Sequence, residues 1–141
     1  MSFLLDTNVV SEWAKPQPNE GVVRWLFEAD EDLLFLSVIS LAELRFGVER
    51  LPLGVRRSRL DGWIREELAE RFEGRILPVD QQVANVWGQM QAGTEAQGRR
   101  MNQMDCFLAA TAKIHGLTLV TRNREDFSGF AKELINPWSD G

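Results

Sequence analysis

Short apolar runs that alternate with longer amphipathic segments predict an α/β fold, with a short parallel sheet covered by helices. Two further patterns agree. Cap-forming residues stand where helices should begin, at Asn19, Ser40, Asp80 and Asn102. Gly116 separates a helical pattern from an apolar run, where a chain commonly leaves a helix in left-handed conformation. The expected strands are Phe3–Leu5, Leu34–Ser37, Arg75–Val79, Leu117–Thr121 and Glu133–Ile135. The expected helices are Thr7–Ala14, Asn19–Glu28, Ser40–Glu49, Val55–Phe72, Gln81–Gln97 and Gln103–His115. Gly88, Gly93 and Gly98 each lower helix propensity by about 1 kcal/mol relative to alanine. The fifth helix is therefore expected to end early, leaving Gln97–Met101 as a mobile basic loop.

Composition sets the limits. A chain of 141 residues, 44% hydrophobic and 26% charged, suits one folded domain over residues 1–141 and leaves no room for a second. Turns at Pro16–Pro18 and Leu51–Gly54 are too short to be linkers, and no repeat or low-complexity tract interrupts the chain. The apolar runs are far below the roughly 20 residues of a membrane span, and the amino terminus lacks a basic leader, so a cytoplasmic protein is expected. With one cysteine, Cys106, and one histidine, His115, neither a disulfide nor a nitrogen and sulfur zinc cage is possible. Any metal must be held by oxygen, which favours hard cations such as Mg2+ and Mn2+. The net charge of −5 argues mildly against nucleic-acid binding, yet arginines cluster at Arg56–Arg59, Arg99–Arg100 and Arg122–Arg124, away from the acids of Glu28–Asp32 and Glu66–Glu73. A basic rim around an acidic pocket is compatible with this distribution.

In open parallel sheets ligands bind beyond the carboxyl ends of strands, which directs attention to the acids there. Asp6 follows the first strand, Glu43 falls in the first turn after the second, and Asp126 follows the strand that ends at Thr121. Asp105 lies in the first turn of the helix before that strand. Each has a plainer explanation. Asp6 can cap the helix that starts at Thr7, Ser40-x-x-Glu43 has the form of a capping box, Asp105 suits a helix dipole, and Asp126 can cap the turn before Phe127. Taken together, carboxylates emerging at one sheet edge would repel one another unless a cation lay between them. Water held by such a cation is a competent nucleophile toward a phosphodiester.

The same residues carry a resemblance. Leu4-Leu5-Asp6-Thr7-Asn8-Val9-Val10-Ser11-Glu12 resembles the opening motif of PIN-domain toxins. Ser37-Val38-Ile39-Ser40-Leu41-Ala42-Glu43, running on to Gly47, is similar to the second motif, Met104-Asp105 through Ala112 to the third, and Thr121-Arg122-Asn123-Arg124-Glu125-Asp126-Phe127 to the fourth. Ile135-Asn136-Pro137-Trp138 resembles the end of the FitB-like branch of the VapC group. The resemblance spans nearly the whole chain. It implies a three-layer α/β/α fold with a central short parallel sheet, a homodimer, Mg2+ or Mn2+, hydrolysis of RNA, and a cognate VapB-like antitoxin. Matched by position, Asp6, Glu43, Asp105 and Asp126 are the implied catalytic and metal-binding acids, with Asn8 and Thr121 as polar supports. Relatives of this branch tend to place an acid immediately after Thr-Arg, where this chain has Asn123, so either Asp126 or Asn123 completes the set. Arg99, Arg100 and Arg122 are the candidate RNA contacts.

Other signals carry less. Gly88-x-x-x-x-Gly93-Thr94 has the glycine spacing of a phosphate loop without its lysine, His115 suits a helix end, and Cys106 suits a small buried hydrophobe. Trp13, Trp25, Trp63, Trp87 and Trp138 are expected to pack in cores or interfaces, the helical spacing of Trp87 with Val83 and Met90 agreeing with that. Two rival functions remain: a degenerate scaffold or DNA-binding partner of an antitoxin, and a phosphatase of the haloacid-dehalogenase type. The phosphatase would want an aspartate at residue 8, where the chain has Asn8.

Overall fold

A computed structural model describes residues 1–130 and 133–139. Five parallel strands form one sheet in the order β3-β2-β1-β4-β5: β1 (Phe3–Leu5), β2 (Leu34–Ser37), β3 (Ile76–Leu77), β4 (Thr118–Val120) and β5 (Leu134–Ile135). Leu4 pairs with Phe35 on one side and Leu119 on the other, which puts β1 at the centre. The order runs outward from β1 in both directions, so the switch point lies between β1 and β4. There the crossovers leave toward opposite edges and a crevice opens beyond the strand ends.

Alternation along the strands builds two cores. Leu5, Leu34, Leu36 and Val120 face one side and pack with Val9, Val10, Val22, Leu26, Leu68 and Phe72. Leu4 and Leu119 face the other, against Cys106, Leu108, Ala109 and Phe127. The first side is covered by α1 (Thr7–Val10, running on as a 3-10 turn over Ser11–Ala14), α2 (Glu20–Glu28), α3 (Val38–Glu49) and the rod formed by α4 (Val55–Gly62), a wide-turn segment (Trp63–Leu68) and α5 (Ala69–Arg71). The second is covered by α6 (Gln81–Ala96), α7 (Gln103–His115) and the short α8 (Arg124–Phe127). The expected α/β/α layering holds.

Local chemistry explains most boundaries. Asn19 accepts from the Val22 amide, Asp80 from Val83, and Asn102 from Met104 and Asp105, while Gly116 closes α7 at φ 64°. One expected cap was misplaced. Ser37, not Ser40, starts α3 by accepting from the Ile39 amide, and Ser40 is buried inside the helix. α6 runs through Gly88 and Gly93, with Trp87 stacked on Phe107 at 5.1 Å between ring centroids, and ends at Ala96, so that Gln97–Met101 lies outside the helix as expected. The basic loop after it is anchored, since the Arg99 amide donates to the Thr94 carbonyl, Gln91 Nε2 donates to the Met101 carbonyl, and Met101 is buried. A 3-10 turn at Glu31–Leu33 and α8 itself were not anticipated.

The tryptophans mostly do pack. Trp25 meets Phe3 edge-on, Trp13 lies against Phe72, and Trp63 and Trp138 join the first core. Trp138 arrives there because the second residue of α2 is a glycine. A Cβ on Gly21 would stand 2.6 Å from the Pro137 carbonyl oxygen, closer than any real contact. Gly21→Ala should therefore destabilise the protein by about 1–3 kcal/mol. Gly93→Ala, with nothing within 4 Å of the added carbon, should stabilise α6 by roughly 0.5–1 kcal/mol. Urea denaturation of both variants checks the pair, and equal midpoints would refute the close approach.

Candidate metal centre

Asp6 ends β1 at the switch point, and its carboxylate is 5% exposed. Oδ1 accepts from the Thr7 amide at 2.7 Å, so the helix-capping role is real. Oδ2 accepts from Thr121 Oγ1 at 2.7 Å, a bond that reaches across the switch point from the end of β4. Burial, above all, raises the Asp6 carboxyl above its ordinary range; Thr121 and the Thr7 amide oppose this, while the charges of Glu43 and Asp126 add to it.

Glu43 rises from α3, and its Oε1 accepts from Thr7 Oγ1 at 2.6 Å. Thr7 Oγ1 also lies 3.0 Å from Ser40 Oγ. With the single Thr7 proton committed to the carboxylate, the Ser40 hydroxyl donates to Thr7, and the three residues form a short relay. The capping-box expectation for Glu43 is thus overturned, because its carboxylate points across to α1 and not back to its own helix start.

Asp105, in the first turn of α7, completes the far wall. Burial first, then the charges of Asp6, Asp126 and Glu43, push its carboxyl up to about 6. Asp126 is exposed on α8, and its charge is felt by both Asp6 and Asp105. Its amide donates to the Asn123 carbonyl, while the Asn123 amide donates to Thr121 Oγ1 at 3.0 Å. Four carboxylates, one after β1 and the others on α3, α7 and α8, are therefore within electrostatic reach of Asp105 or of one another.

The donor set suits a hard dication in kind and charge: oxygen only, with no compensating cation among the causes of the raised carboxyls. Among the described residues no three acid, histidine or cysteine side chains stand close enough together to grip an ion as they are oriented. The reason lies in the bonds just described, which turn Asp6 toward Thr7 and Thr121 and Glu43 toward Thr7. Side-chain rotation about a fixed backbone is what closure would require.

The remaining candidates fall around this crevice. Asn8 Oδ1 accepts from the Arg122 amide at 3.4 Å, Asn136 Nδ2 donates to the Arg122 carbonyl, and the Arg122 guanidinium lies over Trp138 at 5.4 Å. Arg99 and Arg100 line a cavity of about 680 Å³ whose wall includes Asp105 and Asp126. Thr7 and Ser40 were missed by motif reasoning; the hydroxyls of both carry no positional signature of their own. Buried Glu12 was also passed over: it accepts from the Asn19 amide at 2.8 Å and pairs with Lys15. Burial alone would raise its carboxyl, but Lys15, the Asn19 amide and the charge of Arg122 hold it below the ordinary range. Cys106 behaves as the buried hydrophobe expected, burial pushing its thiol up to about 11.

Comparison with known proteins agrees with this geometry. The PIN domain family model matches residues 3–133. Toxin FitB of Neisseria gonorrhoeae is 41% identical over 138 residues, covering 98% of this chain and 99% of its own length. VapC ribonuclease Y4jK of Sinorhizobium fredii is 35% identical over 136 residues, covering 96% of this chain and 97% of its own. The crystal structure of FitAcB from Neisseria gonorrhoeae superposes with a TM-score of 0.91 at 40% identity, over 97% of this chain and 99% of that one. These matches set aside the haloacid-dehalogenase expectation.

The carboxyl of Asp105 has an ordinary value of 3.8, so the folded protein holds this proton more tightly than the unfolded chain does. Its contribution to stability is greatest at acid pH, falls as pH rises through that window, and is unfavourable at neutrality. In chelated protein Asp105→Asn should raise Tm at about pH 7.5 and by less at about pH 5. After discounting for solvent screening of a part-exposed group, the neutral-pH gain is on the order of 1 kcal/mol. Thermal melts at the two pH values check this, and a gain independent of pH would contradict it.

Proposed function

The chain belongs to the PIN-domain family, and from that premise we propose that it is a metal-dependent endoribonuclease, the toxin of a toxin–antitoxin pair. A single domain over residues 1–141, cytoplasmic and working as a homodimer, completes the reading. The observation that carries it is the electrostatic reach among four carboxylates, Asp6 just after β1 and Glu43, Asp105 and Asp126 on α3, α7 and α8, with no cation among the causes of the raised carboxyls. Two relatives, one named a toxin and one a ribonuclease, support the same chemistry. No helix among the described residues is long and apolar enough to cross a membrane.

In this reading Asp6, Glu43, Asp105 and Asp126 hold Mg2+ or Mn2+. When bound, the dication supplies the positive charge the carboxylates lack and the Lewis acidity that readies water for attack on phosphorus. The protein's own part is orientation. Thr121 and the Thr7 amide steady Asp6, and Thr7, backed by Ser40, steadies Glu43, so that each carboxylate would meet a cation by turning from these partners while its backbone stays in place. Asn8 and Asn123 brace the chain at the end of β4, and Arg99, Arg100 and Arg122 draw the RNA phosphates toward the acids.

A second surface supports the antitoxin partner. A groove of about 910 Å³ between α1, α3 and α4 is lined by Leu44, Val48, Leu60 and Trp63 and opens at Thr7 and Glu43. Phe46, Leu53 and Val55 stand exposed near it. A groove with apolar walls that also carries Lys15, Arg56 and Arg59 and reaches Glu43 fits a neutralising polypeptide with apolar and acidic side chains.

Purified protein should cut RNA with Mg2+ or Mn2+ and stop in EDTA. Asp6→Asn and Asp105→Asn should fold, lose at least about 100-fold in rate, and relieve the growth arrest caused by the parent when expressed without antitoxin. Cleavage undiminished in EDTA would refute the metal chemistry, and equal toxicity of parent and mutant would favour the scaffold reading. The fourth ligand is decided by Mn2+ titration. Asp126→Ala should weaken binding by about tenfold or more, whereas Asn123→Ala should cost much less, because an amide adds no negative charge. If Asp126→Ala binds like the parent while Asn123→Asp tightens binding, the position belongs to residue 123.

A further inference from the structure

The cavity beside Asp105 and Asp126 has a construction that phosphate attraction alone does not explain. We propose that it is a nucleoside subsite, in which one unpaired base adjoining the scissile phosphodiester stacks on the Arg99 guanidinium. The proposal rests on the ribonuclease reading above and adds a specific contact to it.

Arg99 is held from both ends. Its amide donates to the Thr94 carbonyl at 2.8 Å, Thr94 is buried, and Gly98 before it takes φ 74°, a turn suited to glycine. Its guanidinium lies over the Phe130 ring at 5.2 Å, and Nη2 comes within 3.7 Å of where a Cβ on Gly129 would stand. A guanidinium steadied over a ring, in the lining of a cavity that both residues share, can offer its plane there to a second π-system. Bases in single strands are bound on such platforms, and stacking on arginine tolerates any base. Fixing the side chain beforehand lowers the entropy lost on binding.

Size and neighbours agree. About 680 Å³ is ample for one nucleoside and falls within the roughly 300–1,000 Å³ of small-ligand sites. The wall formed by Asp105 and Asp126 places an occupant next to the carboxylate cluster, so its linking phosphate would meet the acids where hydrolysis is proposed. Those carboxylates, with Glu125 in the same lining, repel a bare phosphate but not a neutral base, whereas Arg100, also in the lining, offsets the charge of the backbone. The groove on the Glu43 side is lined by Lys15, Arg56 and Arg59 as well as by leucine, valine and tryptophan, but among the described residues none of those three cations lies over an aromatic ring as Arg99 does.

The test uses short single-stranded RNAs from which one base at a time is removed, leaving the backbone intact, with binding read by anisotropy in EDTA. Wild-type protein should lose about 5- to 100-fold in affinity when the base at one position is missing. Arg99→Lys keeps the charge and loses the plane, so it should bind the complete and the abasic strand alike with an unchanged salt slope. Phe130→Leu should behave similarly, and Arg99→Lys alone suffices if that variant fails to fold. Discrimination retained in Arg99→Lys would overturn the subsite even if wild type cuts RNA normally. Discrimination lost in Arg99→Lys, with no cleavage by wild type in Mn2+, would uphold the subsite and sink the ribonuclease reading.

Discussion

The hydrogen bond from the Thr121 hydroxyl to Asp6 Oδ2 joins the ends of β1 and β4 at the one place where the sheet opens, and the candidate site is organised around it. A carboxylate 5% exposed is expensive to keep charged, as its raised carboxyl records. Thr121 and the Thr7 amide offset part of that cost, but neither is a cation. The charges of two further carboxylates, Glu43 and Asp126, make it worse. The fold therefore carries a local destabilisation that its two cores must outweigh, and the surplus of negative charge is itself the attraction for a dication.

The cores can bear this because strand alternation splits them cleanly. Leu4 and Leu119 belong to one layer and Leu5 and Val120 to the other, so the backbone that presents Asp6 and Thr121 is gripped from both faces. Each acid then sits within a residue or a helical turn of buried packing: Asp6 after Leu5, Asp105 beside Cys106, Asp126 beside Phe127. Rigid backbone with adjustable side chains is the combination a metal site needs, since the carboxylates can turn inward without the sheet moving.

Local patterns in the chain foretold what local physics decides. β1, β2 and α7 have the expected bounds, as their apolar runs and their end signals coincide. The errors arise where a distant partner wins. Ser40-x-x-Glu43 fits a capping box, yet Thr7, 33 and 36 residues away in sequence, captures both side chains. Glycine propensity ends α6 before Gln97, as observed, but the loop expected to be mobile is held by the Thr94 carbonyl and by Gln91. The acids themselves were legible because motif order fixed them; the hydroxyl relay behind Glu43 was not, because serine and threonine are common and their partners lie across the fold.

Net charge misleads for a related reason. The formal charge of −5 counts arginines and acids that cancel at a distance from the site. Arg45, Arg57, Arg65 and Arg71 are paired with Asp61, Glu49 and Glu31 on the helical rod and its neighbours. Arg99 and Arg122, at the crevice, rest on the rings of Phe130 and Trp138. A ring steadies a guanidinium without neutralising it, so its charge and its donor edges stay available to phosphate. Within a Debye length of about 10 Å a strand responds to those arginines and not to the sum over the chain. An acidic protein can in this way present a basic rim, with the acids it needs for a cation enclosed inside it.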